Sequence, residues 1–151
     1  MPRLRTKSDP APAPVLIGWR ERVRLPELGV GLITAKVDTG ARSAALHAED
    51  IEIHGSRVRF RVPLNGREHQ YDLPLAGHRR VKSTSGHSEA RVVIETHIVI
   101  GGHRFAAEVT LTDRADMGVP MLLGRASIRG RFVVHPGRSF ILSKKKKRKT
   151  A

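Results

Sequence analysis

The stretch Lys36-Val37-Asp38-Thr39-Gly40-Ala41 decides the fold. An apolar run from Leu32 to Val37, broken only by Thr34 and Lys36, delivers a carboxylate straight into a Thr-Gly turn. Burying an ionised carboxylate at a strand end costs several kcal/mol unless it is paired, so an aspartate there asks for a reason. The Thr39 hydroxyl can hold the turn, and Gly40 lets another backbone come close. That suits aspartate-based amide hydrolysis. Alone the tripeptide is weak evidence, since Asp-Thr-Gly arises by chance in ~3% of chains this long.

Working outward, the second informative stretch is Pro120-Met121-Leu122-Leu123-Gly124-Arg125. Glycine is a poor strand residue, so an apolar pair followed by Gly124 predicts a backbone passing close to another element. Between the two stretches the chain reads as short strands separated by turns. Asn65-Gly66 parts Arg57–Leu64 from Glu68–Leu75, a strong hairpin signal, and His54-Gly55-Ser56 is a further turn. Gly101-Gly102 parts Arg91–Ile100 from Arg104–Thr112, and Pro136-Gly137 parts Phe132–His135 from Ser139–Leu142. In Arg104–Thr112, Phe105, Ala107, Val109 and Leu111 fall on one face with Glu108, Thr110 and Thr112 on the other, which predicts a half-buried strand. The segment Arg42–Ala48 fits a short helix or a strand, and Arg125–Arg129 about one helical turn. These signals predict an all-β domain, a closed barrel or sandwich of hairpins with one short helix after Gly124-Arg125.

The chain of 151 residues is long enough for one self-sufficient core. Residues 1–14, with four prolines, read as a disordered arm, 15–143 as the folded domain and 144–151 as a basic tail. No cysteine is present, which excludes disulfides, a thiol nucleophile and thiolate-bound zinc. The N-terminus has no apolar leader and no run has the length of a membrane span, so a soluble, cytoplasmic protein with no membrane contact is expected. Of the net charge of +14, the run Lys144–Lys149 supplies six and residues 1–14 two more, which leaves +6 for 15–143. Such a field favours acidic partners, and the tail suits weak contact with nucleic acid or the ribosome. On Arg57–Leu64, Arg57, Arg59 and Arg61 alternate with Val58, Phe60 and Val62, giving a basic face. Aromatic groups for stacking on bases are few, so basic charge here suits an extended anion better than single-stranded nucleic acid.

The order of these parts resembles a retropepsin-like aspartic peptidase. More narrowly, the chain resembles the small bacterial group labelled "ATP-dependent zinc protease", found beside RimK-type glutamate ligases. The matching stretches are Lys36–Ala48, Val81–Gly86 with Glu89–Ile94, and Asp113–Arg125. The resemblance implies a catalytic Asp38, with Thr39 bridging two such turns and Gly40 lying against substrate backbone. It also implies a substrate-binding set of Ala41, Arg42, Lys82, Gly124 and Arg125, with Ser83-Thr84-Ser85-Gly86 as the lid. Viral members usually carry an aspartate at position 42 that pairs with the Arg of the Gly-Arg block; here Arg42 stands there, so Arg42 and Arg125 are expected to find Asp113, Asp116 or an acidic substrate. Aspartic peptidases work with two carboxylates sharing one proton around a water. One Asp-Thr-Gly per chain therefore predicts a homodimer.

The group's zinc and ATP labels find no support: no His-Glu-x-x-His pair and no phosphate-binding loop occur, so neither a metal nor another cofactor is expected. His47 reads as a packed or surface histidine. The expected activity is hydrolysis of an acidic peptide or polyglutamylated protein. The alternative is a non-catalytic basic β module that binds ribosome or RNA.

Overall fold

Turn chemistry and alternation account for most elements of the computed structural model, which describes residues 13–29, 32–82, 86 and 88–143. The arm as far as residue 12, Ser83–Ser85 of the proposed lid and the tail 144–151 lie outside the described residues. Twelve strands occur in the described residues: β1 Val15–Gly18, β2 Arg20–Val23, β3 Ile33–Val37, β4 Ala44–His47, β5 Glu49–His54, β6 Arg57–Leu64, β7 Arg67–Pro74, β8 Gly77–Lys82, β9 Ser88–Ile100, β10 His103–Thr112, β11 Met121–Leu123 and β12 Phe132–His135. One short helix, α1 Arg125–Ile128, follows Gly124. The domain is all-β, and the segment that fitted either a helix or a strand contains β4. Among the described residues no helix is long and apolar enough to cross a membrane.

Asn65 and Gly66 both take positive φ (52° and 74°), the mirror-image turn that matches strand twist, and they join β6 to β7 in register. On β6, Val58, Phe60, Val62 and Leu64 point into the core, so the three-stranded sheet β5-β6-β7 covers one side of the molecule. The main sheet has the order β2-β3-β11-β4-β10-β9-β8. The β2 end comes round to β9, where among the described residues Arg24 and Val99 form one isolated bridge, their N–H and C=O groups exchanging 2.9 Å hydrogen bonds. The expected closed barrel is therefore a curled sheet stitched at one bridge. The reason is length: β8 covers β9 only from Ser88 to Val93, which frees Val99 to meet the β2 end.

The fully buried side chains Ile17, Leu46, Ile94, Ile98, Leu111, Met121 and Leu123 hold the sheet and its cover together. Each such burial contributes about 1.5–3 kcal/mol. The period-two expectation for β10 fails at its end: Thr110 and Thr112 are buried along with Val109 and Leu111. There β10 runs parallel to β4 and Thr110 Oγ1 donates to the Ala44 carbonyl, so neither face is solvated.

A second departure concerns the C-terminal segment. Ser139–Leu142 does not form a strand, and β12 pairs instead in parallel with β1. The cause is Glu21 on β2, whose carboxylate is fully buried. It accepts hydrogen bonds from the N–H groups of Gly18 (2.6 Å), Ile141 (2.9 Å), Leu142 (3.2 Å) and Ser143 (2.8 Å) and from the Ser143 hydroxyl. Three successive amides turned onto one carboxylate cannot also serve a strand ladder. Burial pushes this carboxyl up, but the Ser143 hydroxyl and the backbone donors outweigh it and hold it below its ordinary value.

Candidate active site

The main sheet threads β11 between β3 and β4, strands that are neighbours in sequence. It runs parallel to β3, with Leu123 opposite Val37, and antiparallel to β4. This insertion carries Gly124-Arg125 against the Asp38 turn. Asp38 N–H donates to the Leu123 carbonyl (2.9 Å), Arg125 N–H to the Ala41 carbonyl (2.9 Å) and Ala126 N–H to the Arg42 carbonyl (2.9 Å). A Cβ on Gly124 would lie 2.4 Å from the Ser43 carbonyl oxygen, so the close backbone approach expected there is present and only glycine permits it.

Within the turn, Ala41 N–H donates to the Asp38 carbonyl (3.1 Å) and Gly40 N–H to Asp38 Oδ1 (3.0 Å). These bonds fix the rotamer of the carboxylate. A Cβ on Gly40 would stand 3.2 Å from the same oxygen. Asp38 is half-buried, while Thr39 and Gly40 are exposed, so the tip of the turn presents itself to solvent.

Arg125 donates through Nη1 to the Thr39 carbonyl (2.8 Å). It braces the turn it was expected to serve as a substrate contact. Neither of the two carboxylates foreseen for Arg42 and Arg125 reaches them among the described residues; Asp116 pairs with Arg114 instead (3.4 Å). Arg42 is exposed at the rim.

Asp38 opens onto a cavity of about 960 Å³. Gly40, Ala41 and Arg42 line it with Arg125, and Lys82 joins them from β8. Arg79 and Arg80 of β8, Arg91 of β9 and Arg114 line it too, which makes seven cationic side chains around one carboxylate among the described residues. Sequence reasoning missed these last four. Period two on β8 would have placed Arg80 beside Lys82, but Arg91 depends on a register, opposite Arg79, that no pattern announces. Of the seven, Arg79 is neutralised by Glu108 and Arg114 by Asp116, while Arg80 donates to Ser88 Oγ (3.2 Å).

The basic face of β6 has a different character. Arg57 and Arg59 pair with Asp72 (2.7 and 3.2 Å), and Arg61 with Asp50 (3.0 Å), Glu68 and Glu49. Its arginines are matched by carboxylates from β5 and β7. The cavity is not balanced in this way, and one-signed lining in a concave site concentrates its field.

Among the described residues a zinc ion, as the group's label implies, would have to be held by His47, Glu49 and Asp113, whose donor atoms lie within 4.8 Å of one another. These residues do not fit it. His47 is buried and its Nδ1 accepts the Arg114 N–H (3.0 Å), which puts the proton of the neutral ring on Nε2. Nε2 is the atom that faces Glu49 (3.5 Å), and a protonated nitrogen offers no lone pair to a metal.

Comparison with known proteins agrees with this geometry. The RimB-like family, described as retropepsin-like aspartic endopeptidase RimB, matches residues 16–145. Probable alpha-L-glutamate ligases of Shewanella pealeana and Parasynechococcus marenigrum are 36% identical over 143 residues and 37% over 130. The alignments cover 86% and 81% of this chain but 30% and 28% of those proteins, so the chain spans less than a third of their length. The crystal structure of a Legionella pneumophila protein of unknown function (DUF785) superposes with a TM-score of 0.71 at 30% identity, covering 86% of this chain and 99% of that one. An aspartate turn braced by a Gly-Arg segment, on this sheet and across this span, places the chain in the RimB-like family of retropepsin-like aspartic endopeptidases.

Proposed function

We propose that the protein is an aspartic-type endopeptidase that acts as a homodimer, with one Asp38 from each subunit, on acidic, glutamate-rich peptide. The observation that carries this reading is the cavity at Asp38, in which, among the described residues, seven cationic side chains surround a single carboxylate. In the dimer the two Asp38 carboxylates share one proton, because two like charges a few Å apart cannot both ionise. The ionised one takes a proton from the water between them as that water attacks the scissile carbonyl. The protonated one donates a hydrogen bond to the carbonyl oxygen, and the proton then passes to the leaving nitrogen. Arg125 and the Gly40 N–H hold the turn while this happens. The exposed Thr39 is the residue that meets the partner's turn.

The substrate class follows from charge. Each carboxylate of a polyglutamate chain exchanges water for a charge-assisted hydrogen bond from the cavity wall. The relatives named as probable alpha-L-glutamate ligases support a substrate of the kind such a ligase makes. The test is hydrolysis of an oligoglutamate peptide by the wild type and by Asp38→Asn. The variant should keep its fold and its affinity for the peptide while losing turnover. Equal turnover in the two proteins would overturn the proposal.

A further inference from the structure

We infer that the site requires carboxylates on both sides of the scissile bond, so that it cuts inside an acidic tract and leaves an acidic stub where the tract meets neutral sequence. The inference rests on the proposed homodimer. A two-fold axis between two Asp38 side chains gives each half of an extended peptide the same lining, one half from each protomer. The charges of that lining are mostly cationic and come from several elements: Arg42 follows the catalytic turn, Arg80 and Lys82 stand on β8, and Arg91 stands on β9. The arginines in ion pairs among the described residues are Arg57, Arg59, Arg61, Arg79 and Arg114, none of these three arginines being in that set. Arg91 Nε is shut off from water and has no hydrogen-bond partner among the described residues, so this donor is already desolvated.

A neutral segment in one half of the cleft would cover these cations without pairing them, whereas a glutamate would satisfy them. One half filled correctly does not relieve the other, because symmetry repeats the demand. Each cut consumes one water: its hydroxyl joins the carbonyl carbon, the C–N bond breaks and its hydrogen goes to the amine. Cutting therefore stops when one side no longer offers carboxylates.

The test is a peptide with a central run of glutamates between neutral alanine-serine flanks, digested by the full chain, with the products mapped over time by mass spectrometry. Interior bonds should be cut at least ~tenfold faster than the two junction bonds. The Arg80→Ala/Arg91→Ala double variant should narrow that ratio. Since both bond classes are read in one digest, a general loss of active protein cancels. Junction bonds cut as fast as interior ones, or a ratio unchanged in the double variant, would overturn the inference and leave the peptidase reading standing. No cleavage of any bond would overturn both.

Discussion

Replacing Glu21 by Gln should destabilise the protein by about 3 kcal/mol, although the two side chains have the same shape. The carboxylate is fully buried and takes five hydrogen bonds, three from Gly18, Ile141 and Leu142 on Oε2 and two from Ser143 on Oε1. An amide must set its NH2 group against one of these sets. Against Oε1 the loss is smaller, because the Ser143 hydroxyl can turn and accept, while the Ser143 N–H is orphaned. A hydrogen bond to a charged group is worth about 1.5–3 kcal/mol, and an orphaned buried donor costs about 1–3 more. Both the lost charge and the orphan act, with partial recovery at the hydroxyl, which gives the value stated. Thermal unfolding should shift down by roughly 6–12 °C. The sign with pH is fixed: a carboxyl held below its ordinary 4.5 contributes fully above that pH and loses its contribution as pH falls through the lowered folded value. The gap between wild type and Glu21→Gln should therefore shrink below about pH 4.5 and stay constant above it. A loss under 1 kcal/mol at neutral pH, by urea unfolding with unchanged m-value, would refute the role given to Glu21 in holding the C-terminal segment.

Arg42→Ala should raise KM for oligoglutamate roughly tenfold, with the effect fading as salt rises; a loss of turnover with KM unchanged would assign the arginine a structural role. Arg125→Ala should lower kcat more than KM, because its guanidinium holds the Thr39 carbonyl, and Arg125→Lys should recover part of that loss. Gly124→Ala should cost about 3 kcal/mol or more, since the added carbon would lie 2.4 Å from the Ser43 carbonyl and backbone must move, which differential scanning calorimetry would register.

What was legible in the sequence was what local chemistry dictates. Asn65-Gly66 specifies its turn through positive φ at both residues, and Gly124 after two apolar residues announces a close backbone approach. Asp38-Thr39-Gly40 is legible as a turn from its short polar residues and glycine, and the Gly40 N–H closes it on Asp38 Oδ1. Long-range partners were not. Ser139–Leu142 looks like a strand until Glu21, some 120 residues away, claims its amides. Alternation revealed the basic face of β6, yet the carboxylates that neutralise it come from β5 and β7. Arg42 was readable beside the turn and Arg80 by alternation from Lys82, whereas Arg91 is placed only by the pairing of β8 with β9.

The most direct measurement of the central claim is subunit mixing. Wild-type protein and Asp38→Asn are combined in equal amounts, allowed to exchange, and assayed on oligoglutamate against wild type alone at the same wild-type content. If every site needs both Asp38 carboxylates, random exchange pairs half of the wild-type subunits with an inactive partner, and activity should fall to about half. Activity unchanged or raised by the added variant, in a mixture shown to have exchanged, would mean that one Asp38 suffices and would contradict the two-carboxylate site.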